Sequence, residues 1–228
     1  MKRKVAIFDI DGTIFRSSLL IELVEALIEE GIFPKATSRQ YAKAYQRWLD
    51  RKDSYEKYIS GVVLAFRGHI RGVEHSDFLR VSNMVTAFHK DRVYRYTRDL
   101  IKELKHKKYF LLAISNSPKE IADTFAATMG FDKVYGRIYE VNVKKKFTGK
   151  MLFEDLVIDK AKLFRRAVEK ENLVFKGSIG VGDSEADIRF LSLVDLPICF
   201  NPNKKLYEHA KRKGWRVVVE RKDMIYTL

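Results

Sequence analysis

Asp9-Ile10-Asp11-Gly12-Thr13 is the stretch that decides how this 228-residue chain is read. It follows Lys4-Val5-Ala6-Ile7-Phe8, an apolar run of strand length. Two carboxylates one residue apart therefore stand at the end of a buried β-strand. Like charges so placed repel, and their pKa values separate unless a cation or a shared proton relieves them. Read alone, the stretch fits two descriptions. One is a metal-assisted site in which one carboxylate attacks and its neighbour moves protons; the other is a strand running into a polar Asp-Gly turn.

Three further segments bear on the choice. Ser178-Ile179-Gly180-Val181, inside Val174 to Gly182, runs into the acidic Gly182-Asp183-Ser184-Glu185-Ala186-Asp187. A helix is predicted there, with Asp183 or Ser184 as N-cap and Ile188, Leu191 and Val194 on its buried face. Tyr109-Phe110-Leu111-Leu112-Ala113-Ile114 ends in Ser115-Asn116-Ser117-Pro118, where Ser117 reads as an N-cap and Pro118 as the first helical residue. Asp159-Lys160-Ala161-Lys162-Leu163-Phe164 opens a helix that buries Leu163, Phe164, Ala167 and Val168. A lysine in a first turn opposes the helix dipole. In a parallel sheet the polar strand ends gather on one edge, where open α/β sheets bind ligands.

In this order the four segments resemble the motifs of the haloacid dehalogenase superfamily of phosphotransferases: Asp9 to Thr13 the first, Ser115 with Asn116 the second, Lys160 the third, and Gly182 to Asp187 the fourth. The likeness runs from Val5 to about Asn203 and is nearest to the phosphoserine-phosphatase-like subgroup. Thr148-Gly149-Lys150 and Asn201-Pro202-Asn203-Lys204-Lys205-Leu206 also look like that subgroup. The resemblance implies an α/β fold: a Rossmann-like parallel sheet with helices on both faces and an inserted all-helical cap. The core is expected over 1–15 and 90–228, the cap over 16–89.

The implied activity is a Mg²⁺-dependent phosphomonoesterase acting on a small phosphorylated metabolite. Asp9 is the candidate nucleophile, forming an aspartyl-phosphate, and Asp11 the group that protonates the leaving oxygen and then takes a proton from water. Asp9, the backbone carbonyl of Asp11 and the Asp183 side chain are the implied ligands of Mg²⁺, with Asp187 in support or bound through water. Lys160 would neutralise phosphate oxygens and Asp9; Ser115 and the Asn116 amide would donate to the phosphate.

Two departures weaken a phosphoserine assignment. The subgroup's glutamate that grips the substrate amino group aligns near Ser18, with Glu22 one helical turn later. Its Ser-Gly-Gly is here Ser115-Asn116-Ser117-Pro118. Arg16 reads equally as a surface residue or as a contact for an anionic substrate. Glu185 is read as facing solvent or capping its helix, outside the site. Asp11 argues against true dehalogenation, which needs no second carboxylate.

The helical block supports a cap. Leu19, Leu20, Leu23, Val24, Leu27 and Ile28 form an amphipathic stripe ending at Gly31,. Ala36–Leu49, Tyr55–Phe66 and Asp77–Phe88 are further predicted helices, with a break marked by Gly68 and Gly72. Val93–Lys105 reads as a core helix, Val134–Phe153 as short strands or a hairpin, and Trp215–Val219 as a final strand. Tyr41, Tyr45, Trp48, Tyr55, Tyr58 and Phe66 crowd the cap, some as packing and some as pocket wall.

Composition bounds the rest. The formal charge is +14, but the basic residues are spread along the chain in short runs, among them Lys144-Lys145-Lys146. Such a distribution suits substrate steering or a heat-adapted surface better than specific nucleic-acid binding. No apolar run approaches the roughly 20 residues that span a bilayer. Cys199 is alone, in an apolar segment, and reads as a buried inert thiol; a cytoplasmic location is the corresponding default. No histidine pair has zinc-ligand spacing and no Gly-x-Ser-x-Gly elbow occurs,. The competing functions are a phosphotransferase of the same fold and a basic nucleic-acid-binding or regulatory protein on a phosphatase scaffold. Nothing in the sequence speaks to oligomeric state.

Overall fold

A computed structural model describes residues 2–228. β1 (Lys4–Asp9) lies at the centre of an eight-stranded sheet. Parallel to it on one side run β2 (Phe110–Pro118) and β3 (Lys133–Val141). On the other run β5 (Val174–Gly182), β6 (Leu196–Phe200) and β7 (Arg216–Arg221). Each edge is closed by an antiparallel strand, β4 (Phe147–Leu152) against β3 and β8 (Met224–Thr227) against β7. The chain leaves β1 toward β2 and later returns to its other side with β5. Open α/β sheets bind ligands at such a switch, here at the carboxyl ends of β1, β2 and β5.

Alternation along β1 divides the core into two layers. Ala6 and Phe8 face one cluster; Val5 and Ile7 face the other, as the two-residue period of a strand requires. Both faces are covered, which is why β1 reads as an uninterrupted apolar run. The first face receives α5 (Arg95–His106) and α6 (Lys119–Met129). The second receives α8 (Lys160–Lys170), α9 (Ile188–Leu191) and α10 (Lys204–Lys213). A short α7 (Glu154–Val157) precedes α8.

Between β1 and α5 stand α1 (Leu19–Glu29), α2 (Arg39–Leu49), α3 (Tyr55–His69) and α4 (His75–His89). Their apolar side chains join the first core layer. The turn between α3 and α4 is tied to the β3–β4 hairpin: Gly72 N donates to Phe147 O, Phe147 N to Val73 O and His75 N to Lys145 O, at 2.8, 2.9 and 2.8 Å. Phe78 meets Phe147 edge-on at 4.9 Å, and Phe66 meets Tyr139 at 5.3 Å.

The predicted elements hold with local corrections, and the helix expected after Gly182 is reduced to a 3₁₀ turn, Glu185–Asp187, and the four residues of α9, with Val194 beyond its end. Gly68 lies inside α3, so only Gly72, at φ +88°, marks the break. A 3₁₀ turn at Lys35–Ser38 replaces the expected start of α2. The helix after β2 begins at Lys119, with Pro118 as N-cap. Ser117 and Pro118 stay extended, because Pro118 still pairs with Arg137 of β3. β8 was not anticipated; its hairpin turns through Lys222 at φ 54°, without the Asn-Gly or Asp-Gly pair that flags such turns,. Lys144 and Lys145 lie exposed in the β3–β4 turn, and Lys146 pairs with Glu74 at 2.9 Å. Cys199 is fully buried, and burial, with a contribution from Asp187, pushes its thiol up to about 12. Among the described residues no helix is long and apolar enough to cross a membrane.

Candidate active site

Asp9 closes β1 and is 3% exposed. The Lys160 ammonium, at the first position of α8, contacts its carboxylate directly and reaches Asp187 Oδ1 at 2.6 Å. Lys160 is itself 4% exposed. Burial opposes its charge, but Asp187 and Asp9 outweigh that and hold Lys160 above the ordinary lysine value,. The lysine that runs against the helix dipole is thereby accounted for by two carboxylates. Asp159 caps α8 instead, accepting from Ala161 N and Lys162 N at 3.0 and 3.3 Å.

β5 delivers the other acids. Ser184 is the N-cap of a 3₁₀ turn, Glu185–Asp187, and forms a capping box with Asp187,. Asp187 Oδ2 accepts from the backbone amides of Asp183 and Ser184 at 3.0 and 3.1 Å. Asp187 is fully buried and fixes both the Asp183 loop and Lys160. Asp9, Asp183 and Asp187 each offer an oxygen within 4.8 Å of the others. Burial, opposed mainly by Lys160, pushes the Asp9 carboxyl up to about 7. Burial together with Asp9 and Asp187 raises Asp183 well above the carboxylate range. One ammonium among three carboxylates leaves an excess of two negative charges. Oxygen donors carrying that excess fit a hard divalent cation.

Asp11 faces a different set of partners. Its Oδ2 accepts from Ser115 Oγ at 2.6 Å, and both oxygens receive Ser117 Oγ at 3.1 Å. Its Oδ1 accepts the Leu19 amide at 2.6 Å, capping α1 where the Ser18 side chain makes no cap bond,. Ser115 thus touches Asp11, and its Oγ also accepts from Ser117 N at 2.9 Å. The Asn116 side chain is exposed and accepts from an Arg137 guanidinium nitrogen at 3.3 Å. Ser117, read from the sequence only as a helix cap, joins the site; its small polar side chain on a strand end was the available signal.

Glycines make the close approach possible. Gly12 has φ +80°, and a Cβ there would collide with the Asp183 carboxylate. A Cβ on Gly182 would stand 2.7 Å from Asp187. Gly12→Ala is therefore expected to destabilise the fold by about 1–3 kcal/mol through backbone strain, and to displace Asp183. An unchanged melting temperature would contradict this.

The cap aromatics pack largely on one another, Tyr45 on Tyr58 at 5.0 Å and Tyr55 on Trp48 at 5.4 Å. Tyr41, Tyr58 and Phe66 are buried packing; Trp48 stacks on Tyr58 at 5.6 Å, and Tyr41 donates to Glu25 at 2.6 Å. Burial first, then Asp11 and Asp183, hold the Tyr55 phenol above its ordinary value. Glu22 is engaged by Arg92 at 2.8 Å and His89 at 3.2 Å. Glu185 stays outside the acidic cluster, held by Asn203 and by Lys205 at 2.6 Å.

The chain is similar to several known proteins along most of its length. Phosphoserine phosphatase SerB1 of Mycobacterium tuberculosis (strain ATCC 25618 / H37Rv) is 26% identical over 217 residues, 93% of this chain and 69% of that protein. The inhibition of morphological differentiation protein of Streptomyces azureus is 20% identical over 224 residues, 96% of this chain and 79% of that protein. Among solved structures, a protein of unknown function from Bordetella pertussis Tohama I superposes with TM-score 0.71 at 16% identity, covering 95% of this chain and 98% of that one. A phospho-aspartyl intermediate analogue of phosphoserine phosphatase superposes with TM-score 0.62 at 19% identity, covering 98% and 96%. These superpositions establish a shared fold. The model for the haloacid dehalogenase-like hydrolases matches residues 6–192, from within β1 to just past α9. That span contains every acid of the cluster and Lys160, and the chain belongs to the haloacid dehalogenase-like hydrolase family.

Proposed function

We propose that this protein is a Mg²⁺-dependent phosphomonoesterase acting through a phosphorylated Asp9 on a small metabolite. The observation that carries the proposal is the meeting of Asp9, Asp183, Asp187 and Lys160 at one sheet edge, beside an independently held Asp11. Asp9 and Asp183, with the Asp11 backbone carbonyl, would hold the ion, and Asp187 would support it. Bound Mg²⁺ supplies charge neutralisation between the Asp9 carboxylate and the phosphoryl oxygens.

The chain's own residues do the rest. An Asp9 oxygen attacks phosphorus and the ester P–O bond breaks, while Asp11 gives its proton to the departing alcohol oxygen. Water then attacks the phosphorus, Asp11 takes its proton, and the acyl–phosphate bond opens to free Asp9 and inorganic phosphate. Ser117 and the Leu19 amide keep the Asp11 carboxyl aimed throughout. Lys160 stays charged beside the attacking oxygen. Ser115 and the Asn116 amide would bind phosphoryl oxygens once substrate draws Ser115 from Asp11. The helical segment 16–89 would act as the cap. The buried lone cysteine supports a cytoplasmic setting,.

Purified protein is expected to hydrolyse p-nitrophenyl phosphate with added Mg²⁺ and to stop on chelation. Hydrolysis indifferent to chelation would remove the metal from the proposal. A pH dependence follows as well. Asp9, with its carboxyl near 7, and Asp183 must lose protons before they bind a cation. Mg²⁺ affinity is therefore expected to rise by at least about tenfold between about pH 5.5 and pH 8.5, as calorimetric titration would measure. A flat affinity over that range would contradict the ligand assignment.

A further inference from the structure

We infer that the alcohol part of the substrate carries a second anionic group and no ammonium group, and that Arg16 reads that group. The inference rests on the phosphatase reading above and specifies its substrate class.

The loop after Asp11 folds back on itself. Gly12 N donates to Phe15 O and Ser17 O at 3.0 and 3.1 Å, and Arg16 N donates to Arg92 O at 3.0 Å. This leaves the Arg16 side chain exposed beside the site. Its guanidinium lies over the ring of Tyr94, 5.7 Å from the centroid. The Gly12 backbone, bonded to Ser17 O next to Arg16, lies so close to the Asp183 carboxylate that a Cβ on it would collide. Arg16 therefore flanks the Asp183 side of the acidic cluster.

The charges around that cluster are unequal in their availability. Beyond the carboxylates assigned to phosphoryl transfer, the neighbouring acids are Glu56, which faces Lys205 at 3.8 Å, Glu220, which accepts from the Arg95 and Tyr96 amides, and Glu22. The two oxygens of Glu22 are already engaged, one by Arg92 and one by His89. An entering ammonium group would have to displace a guanidinium to reach it and would meet a second guanidinium in Arg16. Arg16, by contrast, has no acidic partner among the described residues; its one recorded side-chain neighbour is an aromatic ring. A planar guanidinium pre-set on a ring face presents its N–H fork to a carboxylate or phosphate at little ordering cost. The site thus offers an unused anion receptor and no unused cation receptor.

The test compares kcat/KM for phosphoglycolate, glycerol phosphate and phosphoethanolamine, whose alcohol parts are anionic, neutral and cationic. Each is measured on the full-length protein with saturating Mg²⁺. Phosphoglycolate is expected to exceed glycerol phosphate by roughly ten- to hundredfold, as a charge-assisted hydrogen-bonded pair supplies, with phosphoethanolamine lowest. In Arg16→Gln the phosphoglycolate-to-glycerol-phosphate ratio should fall at least about tenfold, expressed in KM, and Arg16→Lys should restore part of it. Arg137→Gln, altering the guanidinium beside Asn116, should keep the ratio. A flat wild-type ratio, a preference for phosphoethanolamine, or a ratio lost in Arg137→Gln and kept in Arg16→Gln would each overturn the inference. Asp9-dependent hydrolysis of p-nitrophenyl phosphate with a flat ratio overturns the substrate class alone. No hydrolysis of any ester overturns the phosphatase as well.

Discussion

Asp9→Asn is expected to abolish phosphatase activity, lowering kcat by at least about 10⁴-fold, the scale seen when a catalytic nucleophile is removed. The amide has nearly the shape of the carboxylate, so packing at the end of β1 is kept. It cannot form the acyl phosphate, and it withdraws a negative charge from Lys160. Lys160 retains Asp187 at 2.6 Å and remains paired, so the fold should survive and a loss of rate reports chemistry. Steady-state hydrolysis of p-nitrophenyl phosphate, with circular dichroism to verify folding, checks this. Residual turnover near the wild-type rate would move the nucleophile elsewhere.

Lys160→Met is expected to harm both stability and rate. The methionine chain fills the channel now occupied by the lysine stem but leaves Asp9 and Asp187 buried without their cation. Breaking a buried ion pair by removing one partner costs about 3–5 kcal/mol. For a chain of this length that corresponds to a melting temperature lower by about 6–20 °C. The rate should fall by about 10²–10³-fold through loss of electrostatic stabilisation. Lowering the pH should narrow the stability gap, because protonated carboxyls no longer need the ammonium. A variant as stable as the parent near neutral pH would show that Lys160 does not hold the acids together.

The extent to which this could be read beforehand follows from the range of each interaction. Local patterns announced β1, the stripe of α1 and the switch from strand to helix at Gly182, since a strand buried on both faces and a one-sided helix write their periods directly into the chain. The acids stood out because charged groups rarely end apolar runs without purpose. What escaped depends on contacts between distant residues. Ser117 reads locally as a helix cap, and only the continuation of β2 beside Arg137 turns its hydroxyl to Asp11, 106 positions away. Asp11 as the cap of α1 is hidden because Ser18 occupies the conventional place. The engagement of Glu22 by Arg92 and His89 likewise appears only when α1 meets the end of α4.

Whether Asp9 itself carries the phosphoryl group can be measured directly by quenching the enzyme during steady-state turnover, reducing with borohydride and mapping the peptides by mass spectrometry. The expected result is substrate-dependent conversion of the residue at position 9 to homoserine, the product of reducing an aspartyl phosphate, with Asp11, Asp183 and Asp187 unchanged. Conversion at another acid, or none while turnover proceeds, would contradict covalent catalysis by Asp9.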